Sequence, residues 1–133
     1  MSHKILKFFV MSLLAQQVMA TPVNCPPIIN TDQTLKQEIN GWDGYTAATD
    51  SQHVLQGITF YDKHPKENAS LAPDNENTKN NKLVWTFDKK SDVWVACRYS
   101  NTNVQLIQQL PKERGNCTVT YDDKFSRVVK VDC

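Results

Sequence analysis

The chain has 133 residues, 15 basic and 14 acidic side chains, a formal charge of +1 and 40% hydrophobic residues. That length accommodates one domain with a single core. A near-neutral chain without a basic run gives no electrostatic footing for binding nucleic acid or an anionic membrane surface.

Residues 1–20 carry a short basic start at His3, Lys4 and Lys7, an apolar run over 8–15, and Val18-Met19-Ala20 where a signal peptidase reads small or aliphatic side chains. This pattern predicts a secretory signal cleaved before Thr21, followed by a single secreted β domain over 21–133. The apolar run is too short to cross about 30 Å of hydrocarbon, and Gln16-Gln17 interrupts it. Losing the two signal lysines leaves 13 basic against 14 acidic side chains, a charge of about −1. Cys25, Cys97, Cys117 and Cys133 all lie beyond the cleavage point. An even number of cysteines in an exported small domain predicts two disulfides. No Cys-x-x-Cys pair occurs and no histidine completes a tetrahedral set, so neither a metal nor a cofactor is expected.

After the signal, Cys25-Pro26-Pro27 fixes an extended entry. Residues 28–35 alternate as an edge strand would, while 32–39 also fit a short helix capped by Asp32, with Leu35 and Ile39 on one face; the strand is the preferred reading. Gly41-Trp42-Asp43-Gly44-Tyr45 ends this element, and a polar loop over 46–52 follows. Residues 53–62 form the next strand, with Ile58 and Phe60 on one face and Thr59 and Tyr61 on the other. It closes at His64-Pro65. One helical turn fits 66–72, and 73–82 has nothing apolar to bury and reads as exposed loop.

The stretch 82–110 carries two tryptophans, a cysteine and most of the β-branched residues of the middle of the chain. It reads as a three-strand meander over 83–88, 93–99 and 104–110. A turn at Asn101-Thr102 sets Tyr99 against Val104, Cys97 against Leu106, Val95 against Gln108 and Val93 against Leu110. After the break at 111–115, residues 117–121 and 129–133 form a terminal hairpin. Pairing Tyr121 with Val129 then sets Val119 against Val131 and Cys117 against Cys133, on one face and close enough for a disulfide. That geometry predicts Cys117 with Cys133 and leaves Cys25 with Cys97.

Several of these segments taken in order resemble a family of small secreted proteins from gammaproteobacteria named after an uncharacterised Salmonella protein. They are Cys25-Pro26, the strand 57–62 with Pro65, Glu67, Ala69, Ser70, Leu71, Pro73 and Asp74 after it, Trp94-x-x-Cys97-x-Tyr99, Leu110-Pro111 and 117–121. The resemblance implies export and the four-cysteine framework, and it implies no catalytic residue.

Catalytic patterns are sparse. No Gly-x-Ser-x-Gly turn occurs, the cysteines are expected to be bridged, and His53 and His64 read as solvated loop histidines. Asp62, Glu67, Asp74, Glu76, Asp122 and Asp123 offer carboxylate pairs, none marked out by its context. Scattered glycines exclude phosphate loops and dinucleotide fingerprints.

The aromatics say more. On the strand 93–99 the face opposite Cys97 carries Trp94 and Arg98, residue types that dominate protein interfaces. Trp42 and Tyr45, in a glycine-flanked loop, form a second candidate patch. The expected fold is mainly β, an antiparallel sandwich or partly open barrel of about six or seven strands stapled by two disulfides. The expected function is that of a monomeric, non-catalytic binding or inhibitor protein of the bacterial envelope, periplasmic or secreted, that acts on an envelope protein. The alternatives are a carboxylate-dependent envelope hydrolase and a structural surface component.

Overall fold

A computed structural model describes residues 23–46, 51–74, 80–112 and 114–133. The expected signal segment, residues 47–50 of the polar loop and residues 75–79 of the exposed loop lie outside the described residues. The strands are β1 (Ile28–Asn30), β2 (Gln52–Asp62), β3 (Ser70–Leu71), β4 (Lys82–Thr86), β5 (Val93–Tyr99), β6 (Gln105–Gln109), β7 (Asn116–Tyr121) and β8 (Val128–Asp132). They form two antiparallel sheets. The larger runs β1-β2-β5-β6, with β3 also paired to β2, and the smaller runs β4-β7-β8.

The core lies between the sheets. Ile58 and Phe60 of β2 and Val93, Val95, Cys97 and Tyr99 of β5 meet Trp85 of β4 and Cys117, Val119 and Tyr121 of β7, all buried. Every second residue of these strands is apolar, and the pleat puts that set on one face. Phe60 is fully buried at the centre, with its ring centroid 5.0 Å from Trp85 and 5.2 Å from Phe87 in tilted contacts.

The expected register of β5 on β6 is observed, with Cys97 opposite Leu106 and Val95 opposite Gln108. Both disulfides form as expected. Cys25 joins Cys97 with Cα atoms 5.8 Å apart, and Cys117 joins Cys133 with Cα atoms 4.1 Å apart. Tyr99 reinforces the first by donating its hydroxyl to the Pro26 carbonyl at 2.9 Å.

Five expectations are corrected. The segment over 83–88 does not complete a meander: β4 pairs with β7 in the other sheet. The flank of β5 opposite β6 is taken by β2, and Trp85 and Phe87 reach Phe60 by crossing the core, not by lying beside β5. The indole N–H of Trp85 donates to the Leu71 carbonyl at 2.9 Å, so the ring is satisfied where it is buried.

Residues 32–39 are neither strand nor helix. β1 ends at Asn30, and the following arm over 31–46 holds a single bridge between Ile39 and Trp42, with Leu35 and Ile39 exposed. The turn expected over 66–72 contracts to one 3-10 turn at Pro65–Glu67, capped by His64, whose Nδ1 accepts from the Lys66 amide. In the terminal hairpin Val119 faces Val131, but a register shift between Thr120 and Tyr121 sets Tyr121 against Val128. One residue of slip turns a side chain to the other face. Val129 is accordingly exposed instead of sharing the cysteine face.

The fifth correction is His53, which is fully buried and not solvated. Its Nδ1 lies 2.7 Å from the Ser100 carbonyl and its Nε2 lies 2.7 Å from the Thr31 hydroxyl. A carbonyl only accepts, so Nδ1–H donates to Ser100, and Nε2 shares the second hydrogen bond with the Thr31 hydroxyl. The histidine thus ties the start of the 31–46 arm, β2 and the β5–β6 turn together.

Candidate binding face

With Cys97 and Val95 turned to the core, the opposite face of the larger sheet is set by register. Its three cross-strand rows are Tyr61, Trp94 and Gln109, then Thr59, Ala96 and Ile107, then Gly57, Arg98 and Gln105. The second sheet packs on the other side, against the residues of the core. This outer face is therefore a three-by-three grid on three adjacent strands, aromatic at one end and cationic at the other.

The aromatic row is held from beside the sheet. His64 stacks at a tilt on Trp94 with ring centroids 4.6 Å apart, and both rings stay half-buried. In the middle row Ala96 is buried and Ile107 is 41% exposed, which makes a shallow apolar floor. At the far end Arg98 folds over Gly57. A Cβ at position 57 would collide with the guanidinium, which lies across the glycine. Arg98 is exposed and has no carboxylate partner among the described residues. Its charge reaches inward far enough to oppose slightly the rise that burial causes in the Tyr121 phenol.

The structure therefore brings Trp94 and Arg98 onto one open face. Trp42 and Tyr45 are not part of it. They project from the 31–46 arm and are 79% and 89% exposed. The base of the arm does reach the Arg98 corner, where Gln33, Gln56, Arg98, Asn101, Asn103 and Gln105 line a shallow polar concavity. Sequence reasoning did not single out Tyr61, His64 or Ile107. The signal for Ile107 was present in the β5–β6 register, which sets it on the face opposite Cys97.

Among the described residues, the carboxylates considered for hydrolysis do not gather in either concavity. Asp62, Glu67, Asp74, Asp122 and Asp123 line neither this concavity nor the larger one under the arm. Asp122 instead shapes the β7–β8 turn. Its carboxylate accepts from the Ser126 hydroxyl and amide at 2.7 Å each and from the Arg127 amide at 3.2 Å, and these bonds hold its pKa below the ordinary range. Asp123 accepts from the Asn81 side-chain amide at 2.8 Å. Glu76 lies outside the described residues.

The profile of the type VI secretion system Tli immunity protein family matches residues 49–133. The chain belongs to this family. The matched span runs from just before β2 to the last cysteine, so it contains all nine positions of the outer face. It leaves out β1, Cys25 and the arm with Trp42 and Tyr45. The chain is also similar to the "Uncharacterized 16.3 kDa protein in trpG 5'region" of Azospirillum brasilense, with 26% identity over 126 residues, covering 87% of this chain and 82% of that one. No solved structure matches.

Proposed function

We propose that this Tli-family chain is an exported immunity protein that binds a toxin in the cell envelope and blocks it without catalysis, using the outer face of the larger sheet. Family membership is the observation that carries the reading. Two further observations support it. Both disulfides suit an oxidising compartment, and the matched segment contains an open face with an indole and a guanidinium that has no carboxylate partner among the described residues. A toxin surface with an acidic group near an apolar hollow would complement that face, since buried aromatic and arginine side chains supply most interface energy.

The test is capture of a partner from a periplasmic extract by the oxidised protein, followed by affinity measurement with Trp94→Ala and Arg98→Glu. Truncation at a hot spot costs about 2 kcal/mol or more, so each variant is expected to bind roughly thirtyfold more weakly while still unfolding cooperatively. A partner bound equally well by both variants would remove the outer face from the reading. Capture by the reduced, unfolded chain would remove the fold itself.

A further inference from the structure

The edge strand β6 is exposed along its whole length, although Leu106 and Ile107 sit at its centre, 39% and 41% exposed. Edge strands are ordinarily blunted by lysine, proline or a bulge, because a free row of amides and carbonyls invites another strand. None of these devices is present. Residues 99–111 contain no charged side chain, Pro111 stands beyond the end of the strand, and the β5–β6 register has no bulge.

The free row is defined by one hydrogen bond. The Leu110 amide donates to the Val93 carbonyl at 2.8 Å, so alternation turns the backbone groups of Gln108 and Leu106 towards β5 as well. Those of Gln105, Ile107 and Gln109 then point outward. This outward row is symmetric about Ile107, with a glutamine two residues away on either side.

We propose that β6 pairs antiparallel with β6 of a second copy of this chain, Ile107 facing Ile107 on the two-fold axis and Gln105 facing Gln109. An axis perpendicular to the sheet keeps the outer face outermost in both copies. Each facing pair is then of the hydrogen-bonded kind, and each outward amide meets an outward carbonyl. Ile107 packs on its equivalent, the glutamine side chains pair across the strands, and Leu106 lies against Gln108 on the other face. The β1-β2-β5-β6 path continues into its copy through the axis. A second copy is favoured as the occupant because the row is its own complement and no like charges oppose the pairing. A five-residue strand covers less than the roughly 1,200–2,000 Å² of a standard interface, so the association is weak and concentration-dependent.

Sedimentation equilibrium of the oxidised protein over roughly a hundredfold concentration range tests this. The expected result is a mass that climbs from one copy towards two. Ile107→Lys and Ile107→Glu each place like charges opposite one another on the axis, so each variant alone is expected to stay monomeric. An equimolar mixture of the two variants restores opposite charges there, and its mass is expected to rise again. The exposed position keeps both variants folded, which circular dichroism checks. A wild-type protein that stays monomeric throughout overturns the proposal, as do dimers that persist in both separate variants. A mixture that remains monomeric also overturns it.

Discussion

The two disulfides offer a direct test of how this domain is held together, because their burial is matched and their loops are not. Each joins one buried cysteine to one half-buried cysteine: Cys97 to Cys25, and Cys117 to Cys133. Their sequence separations are 72 and 16. Replacing either pair with alanine removes similar side-chain volume from similar surroundings, so packing losses largely cancel between the two double variants. What differs is the freedom returned to the unfolded chain. By the loop-closure relation this is about 4.4 kcal/mol for the long bridge and about 3.1 kcal/mol for the short one, a difference of about 1.3 kcal/mol. Against a total stability of about 5–15 kcal/mol, that difference is measurable and either loss is severe. Urea unfolding followed by tryptophan fluorescence is the assay. With slopes of about 1–3 kcal/mol/M, the Cys25→Ala/Cys97→Ala protein is expected to unfold at a midpoint roughly 0.4–1.3 M below the Cys117→Ala/Cys133→Ala protein. Equal midpoints, or a lower midpoint for the short-bridge variant, would refute the argument that loop length ranks the two bridges.

Phe60→Ala empties the point where β2, Trp85 and Phe87 meet, and is expected to cost about 3–5 kcal/mol in the same assay. His53→Ala opens a cavity and removes the donor from the Ser100 carbonyl, so a loss of about 2–4 kcal/mol is expected, large for a polar residue. Asp122 is held below the ordinary aspartate range first by the Ser126 hydroxyl. A depressed carboxylate pKa contributes stability that is present above the unfolded value and disappears as pH falls through the folded one. Acid titration of the β7–β8 turn by amide NMR is therefore expected to show loosening at low pH, and Asp122→Asn is expected to remove that dependence. Burial raises the Tyr99 and Tyr121 phenols. Raised phenols contribute stability that is present at neutral pH and lost as pH climbs past 10, so alkaline unfolding should steepen there and weaken in Tyr121→Phe.

What could be read from the sequence followed the strength of the local pattern. Alternation over 53–62, 93–99 and 104–110, with a turn of fixed position at Asn101, was enough to set which residues of β5 and β6 face each other. Cys117 and Cys133 could be paired because Val119 and Val131 lock their hairpin. The one-residue shift at Tyr121 was not legible. A bulge leaves composition unchanged, so no residue pattern announces it. The fate of β4 was hidden for a different reason. Leu83-Val84-Trp85 has the same pattern whether it lies beside β5 or across from it, and only the competition of β2 for the same flank decides. His53 was missed because its partners, Thr31 and Ser100, are distant in sequence. Trp94 and Arg98 were found as a pair because period-two spacing alone sets both opposite Cys97, whereas the arm carrying Trp42 and Tyr45 has no repeating pattern from which a position could be read.

The pairing of β4 with β7, and not with its chain neighbour, governs the order in which the molecule can assemble. β2 has only the short strands β1 and β3 beside it until β5 has been made, and β4 has no strand beside it until β7 has been made, so the first half of the chain contains no sheet complete in itself. Such non-local contacts place folding among the slower β topologies. The exposed strands of a half-made chain offer unpaired edges throughout that wait. A chaperone that delays collapse until β7 is available is therefore expected to raise the yield of native protein more than one that only accelerates disulfide exchange.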